Sequence, residues 1–466
     1  MKLKELKKVY FLGIGGIGMS AIARYFNHLG IEVSGYDKTK TALTTLLEKE
    51  GINIHYQEKI KLIPENLDLV VYTPAIPKNN KEFVHLNKIN ATPILKRARV
   101  LGEIAKQGKC IAIAGSHGKT TITCMLSHVL HSAGYNCYAF IGGISINYQT
   151  NFLAGNDKNP IFIVEADEFD RSFHQLHPDI AVITAIDDDH LEVYGNKEGL
   201  ITSFNKFIEN IDSNGLLIIK YGLNTNESCY PNNFLTYHFS DNNADLYVKN
   251  LRIDDDDNYR FDTAELTTTR SNKETWAQPK SLVLAIGGEH NIENAIPVIA
   301  IAKKMGLSEK EIFNGLKSFK GIKRRFEFVI KNKSKCMIDD YAHHPEELNA
   351  LIRSVKNRYL DKKICLAFQP HLYSRTKDLA KQFADALSAV DEVVLLDIYP
   401  ARELPVEGVT SQLIADFLNN TDKKIYSKHE LVDAIAQKEF DVLVFAGAGD
   451  ISDLILPMKN ALLRQG

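Results

Sequence analysis

Only six cysteines occur in 466 residues (Cys110, Cys124, Cys137, Cys229, Cys336 and Cys365), and no two of them form a C-x-x-C pair. That scatter excludes a zinc knuckle and a disulfide framework, and it fits a reducing cytoplasm. Charge of one sign is lacking as well, since 56 basic against 58 acidic residues leave a net charge of −2. A broad basic face for nucleic acid is therefore not expected, although a local anion-binding cleft remains compatible with this balance. No apolar run reaches the roughly 18–20 residues of a membrane-spanning helix. The opening MKLKELKKVYFLGIGGIGMS passes from a basic segment into a strand without an apolar signal core. Neither membrane insertion nor a nucleic-acid partner is expected. What is present is an ordinary folded composition, 44% hydrophobic and 24% charged, and a length that suggests about three domains.

The apolar patterning alternates strand and helix, the mark of α/β architecture with parallel sheets. Lys8–Ile14 reads as a buried strand, Ile17–Leu29 as a helix and Ile31–Tyr36 as a second strand. Leu67–Tyr72 reads as a further strand and Ala98–Lys106 as a helix. A second unit opens at Cys110–Ala114 and continues through a helix at Thr120–His131 and strands at Ile161–Val164 and Ile180–Ile186. Between about Ala244 and Ile286 the pattern shifts to short alternating strands around Asp254–Asp257, a solvated hairpin tip, and a polar stretch Thr267–Lys280. A helix at Asn291–Met305 follows. After Gly321 a third alternation places strands at Cys336–Ile338, Ile364–Phe368, Glu392–Leu396 and Val442–Phe445. The expected domains are 1–107, 108–320 and 321–466.

Two glycine loops carry most of the chemistry. Gly13-Ile14-Gly15-Gly16-Ile17-Gly18 fits G-x-G-x-x-G between a strand and a helix, and Asp37 follows the next strand. Glycines let a diphosphate approach the backbone, and the helix amino end offers amide donors. Such a loop can hold a dinucleotide cofactor or another nucleotide diphosphate, or it can be a tight turn. The second loop, Gly115-Ser116-His117-Gly118-Lys119-Thr120-Thr121, occupies the strand-to-helix position of a P-loop. It departs from the strict pattern because Ile113 stands five residues before Gly118. There Lys119 would neutralise β/γ-phosphate charge, and the Thr120 hydroxyl would face Mg²⁺. Glu165, Asp167 and Asp187–His190 fall at the carboxyl ends of the following strands, where open α/β sheets bind ligands. Glu165 suits Mg²⁺, whereas His190 is a less usual ligand for it.

Further on come GEHNIEN (288–294), KRRF (323–326), DYAHHP (340–345) and HLYSRT (371–376). This ordered series, together with EADEFDRSF and IYPARE, resembles the Mur ligase family across essentially the whole chain. The resemblance implies three domains: a Rossmann-like amino-terminal one for UDP-sugar, a central P-loop ATPase-type domain with a small β-rich portion, and a Rossmann-like carboxyl-terminal one closing over an amino acid. Gly13, Gly15, Gly16 and Gly18 would then cradle a UDP diphosphate rather than NAD, with Asp37 at the nucleotide end. The resemblance carries Lys119 and Thr120 over as phosphate and metal contacts. It makes Glu165 and His190 metal-site contacts, and His290, Asn291 and Asn294 an ATP-binding element. It places Arg325 against the γ-phosphate, and His344 and Arg375 on the amino-acid side. One departure is Ala185, where many relatives have asparagine.

Within the family these motifs imply an ATP- and Mg²⁺-dependent ligase, with Mn²⁺ an alternative metal. It would join L-alanine to the lactyl carboxylate of UDP-N-acetylmuramate through an acyl phosphate, in a bacterial cytoplasm. His190 and His344 are the histidines placed to take the amine's proton. Three other readings stay open: a relative that attaches a recycled tripeptide to the same sugar nucleotide, a nicotinamide-dependent oxidoreductase using the first loop, and a non-catalytic nucleotide switch.

Overall fold

The structure, a computed structural model, describes residues 3–156, 158–187, 191–254, 258–265, 281–332, 335–401, 403–419 and 422–464. His190, Asp188, Asp189, the tip 255–257 and all of Thr267–Lys280 lie outside the described residues. Among the described residues the strands form three sheets.

The first sheet contains β1 (Lys8–Leu12), β2 (Glu32–Tyr36), β3 (Asn53–His55), β4 (Leu69–Tyr72) and β5 (Ile94–Lys96), interleaved with α1 (Ile17–His28), α2 (Ala42–Lys49), α3 (Lys81–Ile89) and α4 (Arg97–Ala105). Its order is β3-β2-β1-β4-β5, parallel throughout. The order reverses at β1, which opens a crevice at the carboxyl ends of β1 and β4. Val9, Phe11, Val33, Leu69 and Val71 are buried beneath α1 and Tyr10, Leu12 and Val70 on the opposite face, the continuous apolar signature of strands covered on both faces.

The second sheet contains β6 (Lys109–Ala114), β7 (Tyr138–Phe140), β8 (Phe152–Leu153), β9 (Ile161–Ala166), β10 (Ile180–Ile183), β11 (Leu216–Lys220), β12 (Asn233–His238), β13 (Leu246–Ile253), β14 (Tyr259–Glu265) and β15 (Leu282–Leu284). The helices are α5 (Lys119–Ser132), α6 (Leu191–Tyr194), α7 (Lys197–Glu209), α8 (Glu289–Lys304) and α9 (Glu309–Ser318). The central strand β6 pairs in parallel with β9 and β10, so the P-loop that follows it stands at a second reversal of strand order. The pattern change after Ala244 becomes the antiparallel β13–β14 hairpin, whose flanks are closed by the Asp254 amide donating to the Asn258 carbonyl at 2.9 Å. These two sheets share a core. Tyr25 on α1 packs edge-on against Tyr138 at 5.4 Å and Phe162 at 6.4 Å. The buried Arg24 donates to Glu50 and to the fully buried Asn151.

The third sheet contains β16 (Glu327–Lys331), β17 (Cys336–Asp340), β18 (Ile364–Phe368), β19 (Glu392–Leu395), β20 (Asp422–Ile425) and β21 (Val442–Ala446), with α10 (Pro345–Arg358), α11 (Tyr373–Leu387), α12 (Gln412–Ala415), α13 (Lys428–Ala436) and α14 (Ile455–Arg464). Its order is β16-β17-β21-β18-β19-β20, with only the edge strand β16 antiparallel. The chain divides into two compact units: Met1–Ala285 with His290–Lys320, and Ile286–Glu289 with Gly321–Gly466. Among the described residues no helix is long and apolar enough to cross a membrane.

Candidate active site

In the first glycine loop the chain turns from β1 into α1 with Gly13 at φ +85°, a conformation that costs an L side chain about 1–2 kcal/mol. A Cβ on Gly13 would also stand 2.7 Å from Thr73 Cγ2, so glycine is required for both backbone and space. The amides of Gly13 and Ile14 donate to the Tyr36 carbonyl at 2.8 and 3.1 Å. Asp37 accepts from the Gly15 amide at 2.8 Å through one carboxylate oxygen and from the Thr39 amide at 3.1 Å through the other. Its carboxylate thus holds the loop's own backbone. Gly16 caps α1 without a side-chain bond, and the first-turn amides face the loop, as an anion site requires.

The P-loop runs from β6 to α5. Gly115 at φ +126° lies against Thr184 and Ala185, and Gly118 at φ +81° is the N-cap of α5. The Ser116 amide donates to the Ala185 carbonyl at 3.0 Å, so position 185 supports the loop through its backbone. Ser116 Oγ also accepts from the Asp187 amide at 2.9 Å, and His117 faces the Asp187 carboxylate at 3.4 Å. Lys119 Nζ donates to the Gly115 carbonyl at 2.6 Å and to both oxygens of the buried Glu168 at 2.9 and 2.7 Å. Thr120 Oγ1 donates to Glu165 Oε2 at 3.0 Å. The Gly142 amide donates to the other oxygen of Glu165. Burial raises the Glu165 carboxyl above its ordinary range, against the pull of the Gly142 amide, Lys119 and Thr120. A hard cation beside these two oxygens would reverse that desolvation. The H-N-x-x-N element reaches the same loop, because a Cβ on Gly118 would stand 2.6 Å from Asn294 Oδ1. Asn294 in turn donates to Asn291 at 3.3 Å.

Both loops open on one cleft of about 350 Å³, walled by Gly16, Gly18, Thr73, Arg97, Lys119 and Glu165 among others. The cleft is of the size that a sugar and its substituents need. It joins the amino end of α1 to the P-loop lysine.

In the second unit the carboxyl ends of β17, β21 and β18 gather a separate polar cluster. Asp340 accepts from the Phe326 amide at 2.7 Å and from the Ala342 amide at 2.8 Å. This fixes the turn that carries Arg325, whose guanidinium lies 5.7 Å from the Tyr341 ring. Both flanking residues, Arg324 and Phe326, have positive φ, backbone strain of the kind that collects at functional sites. The His343 ring faces Glu347 at 3.1 Å and the His371 ring at 5.8 Å, and His371 stacks on Tyr399 at 5.7 Å. Burial pushes Glu347 up, but the His343 ring and amide outweigh it and hold the carboxyl at about 2. Burial first, then His343 and Arg375, pushes His371 down to about 4. His344 is the N-cap of α10, its amide donating to Glu347 at 3.1 Å.

Three family descriptions match the chain in order: "Mur ligase family, catalytic domain" over residues 8–109, "Mur ligase middle domain" over 113–302, and "Mur ligase, glutamate ligase domain" over 324–449. The chain belongs to the Mur ligase family. Among curated relatives of this Mur ligase, the UDP-N-acetylmuramate–L-alanine ligase of Christiangramia forsetii is 44% identical over 99% of both chains. That of Porphyromonas gingivalis is 44% identical over 98% of this chain and 99% of its own. The crystal structure of a UDP-N-acetylmuramate–alanine ligase from Thermotoga maritima superposes with a TM-score of 0.83 at 28% identity, over 98% of this chain and 100% of that one. A murein peptide ligase from Psychrobacter arcticus shares the fold, with a TM-score of 0.69 at 24% identity over 98% of each chain.

For this Mur ligase the structure brings Gly16, Gly18, Lys119 and Glu165 to one cleft and sets Asn294 against Gly118. His290 opens the same helix α8. Arg325, His344 and Arg375 belong to the second unit, and His190 lies outside the described residues. Sequence reasoning did not single out Glu168, Gly142, Arg97, His343 or Tyr399. Glu168 reaches the P-loop from the end of β9, which pairs with β6, and Gly142 from the end of β7, one strand further out, a proximity with no local spacing to betray it. His343 had a readable signal, its i,i+4 spacing to Glu347 at the start of a helix.

Proposed function

We propose that this Mur ligase joins L-alanine to the lactyl carboxylate of UDP-N-acetylmuramate, splitting ATP to ADP and phosphate, in the bacterial cytoplasm. One observation carries the reading: a single cleft is walled both by the glycine-rich start of α1 and by the P-loop lysine. A sugar nucleotide anchored by its diphosphate at the first loop can therefore extend its carboxylate toward the phosphate-binding loop. Full-length relatives of that name at 44% identity support the same substrates. In this reading 1–107 takes the UDP end through Gly13, Gly15, Gly16 and Gly18. Residues 108–320 hold ATP through the loop from Gly115 to Thr121 and through His290, Asn291 and Asn294. Residues 321–466 supply Arg325 to the γ-phosphate, and His344 and Arg375 to the amino acid.

A carboxylate and an amine do not condense in water, because oxide is a poor leaving group. The lactyl carboxylate attacks the γ-phosphorus, the bond to the β-phosphate oxygen breaks, and ADP leaves an acyl phosphate. The amine of L-alanine then adds to the acyl carbon, loses a proton and expels phosphate as the amide forms. Lys119 and Arg325 offset the repulsion between the two anions as charge moves toward ADP. Thr120 and Glu165 present the hydroxyl and carboxylate oxygens that Mg²⁺, or Mn²⁺, takes together with phosphates, and a bound cation would supply charge neutralisation there. His190 belongs to the same proposal as a metal contact or the base for the amine.

The test is phosphate release with ATP, Mg²⁺ and UDP-N-acetylmuramate, adding L-alanine, glycine, L-serine or the murein tripeptide singly, with product mass. Alanine-dependent release with the matching mass gain is expected. Release with tripeptide alone would move the assignment to wall recycling. NADH binding without ATP turnover would favour the oxidoreductase, and ATP binding with no covalent product would favour a nucleotide switch.

A further inference from the structure

Arg97, at the start of α4, belongs to no motif. It follows β5 in the first sheet, and its guanidinium reaches two places at once. One nitrogen, Nη2, pairs with Asp167 Oδ2 at 3.2 Å, with 23% of the arginine side chain and 35% of the aspartate exposed. The other, Nη1, lies where a Cβ on Gly18 would stand 2.8 Å away. Gly18 is the second residue of α1, so the cation rests against the turn whose amides form the anion site. Arg97 lines the same cleft as Gly16, Gly18 and Lys119. Gly18 lacks a side chain in the one direction from which the guanidinium approaches.

We infer that Arg97 is a binding residue for the sugar nucleotide, its guanidinium taking the diphosphate at the start of α1, and that Asp167 is the counter-ion it leaves to do so. This rests on the sugar-nucleotide reading given above and adds the cation that reading lacks. Helix amides and a helix dipole alone supply partial charge, whereas a diphosphate brings two full negative charges. A planar guanidinium meets phosphate oxygens with paired N–H donors, a geometry no lysine reproduces. The pairing with Asp167 is partly open to solvent and weak enough to exchange. Asp167 follows Ala166 at the end of β9, and its other oxygen already accepts from the Phe169 amide at 3.2 Å, so the carboxylate keeps a partner when the arginine turns away. The neighbouring Lys96–Asp170 pair at 3.0 Å joins the end of β5 to the same acidic segment and keeps the two in contact when Arg97 exchanges.

The experiment is calorimetric titration of the full chain with two probes, UDP-N-acetylmuramate and UDP-N-acetylglucosamine, which carry the same diphosphate but differ in the lactyl acid. Arg97→Ala is expected to weaken both by roughly 10- to 100-fold, Arg97→Lys to recover only part, and ATP binding to stay within twofold of the unaltered chain. Asp167→Asn, which removes the competing charge and keeps the shape, is expected to tighten both probes. Loss confined to UDP-N-acetylmuramate would overturn the assignment in favour of carboxylate recognition. Unchanged affinity for both, with a lowered melting temperature, would overturn it in favour of a structural rivet, as would weaker binding in Asp167→Asn. Failure of the unaltered chain to bind either probe would instead overturn the sugar-nucleotide reading on which the inference stands.

Discussion

Lys119 is held between the Gly115 carbonyl and the carboxylate of Glu168, both within 2.9 Å of its ammonium. Triphosphate binding must draw that ammonium from one anion to another, so its charge is positioned in advance of the substrate. Lys119→Ala is therefore expected to lower ATP-dependent product formation by roughly three orders of magnitude, with circular dichroism unchanged. Near-normal turnover would sink the P-loop assignment. A second residue, His128 on α5, acts on stability. Ser318 Oγ donates to the Asn314 carbonyl at 2.7 Å and so accepts from His128 Nε2 at 2.9 Å, which leaves Nδ1 to accept from the Tyr148 hydroxyl at 2.9 Å. The imidazole is neutral in this network, and burial, then His131 and Lys320, pushes its pKa down to about 4. The unfolded histidine binds its proton below about 6.5 while the folded one waits until about 4, so stability rises with pH across that window and is level above it. The contribution is about 3 kcal/mol. Urea unfolding between pH 4 and 6.5 checks it: His128→Gln should flatten the slope, and an unaltered slope would remove His128 as its cause.

At the scale of elements, the two glycine loops were legible because strand, glycines and helix follow one another within a few residues, and local sequence dictates local turns. The partners those loops meet were not legible from local spacing: Asn294 entered only through the family resemblance, and Arg97 not at all. Asn294 meets Gly118, and Asp167 meets Arg97 across a separation of 70 residues, through sheet order that no spacing encodes. The strand read as Ile180–Ile186 ends at Ile183 because Thr184 turns its hydroxyl onto the carbonyls of Ala114 and His117, tertiary contacts that override an apolar run. The edge strand β20, whose four residues are all exposed, carries no apolar period and went unread for that reason. The loop geometry makes its own prediction. Gly118→Ala forces a side chain into φ +81° and to within 2.6 Å of Asn294 Oδ1. ATP affinity should fall at least about 10-fold from the left-handed strain alone, with UDP-N-acetylmuramate affinity retained. Equal loss of both ligands in titration would show that the damage is not local to the P-loop.

The molecule as a whole repeats one α/β design three times, and that repetition was legible as alternation of apolar runs. What the alternation did not carry is how the sheets group, since grouping depends on which aromatic faces meet. Tyr25, Tyr138, Phe152 and Phe162 bind the first and second sheets into one unit. The second unit has its own buried sets, one around Phe368, Phe383 and Leu366 and another around Met337, Leu443 and Phe445. Three chain crossings join the units, at Ala285–Ile286, Glu289–His290 and Lys320–Gly321. Units with separate cores unfold as separate cooperative blocks, so scanning calorimetry of the full chain should resolve two transitions. The first glycine loop lies wholly in the first unit, and UDP-N-acetylmuramate at a hundred times its dissociation constant should stabilise that unit alone by about 2.7 kcal/mol. A single transition would show that the two units unfold as one cooperative block, and an equal upward shift of both transitions would mean that the sugar nucleotide is held by the second unit as well.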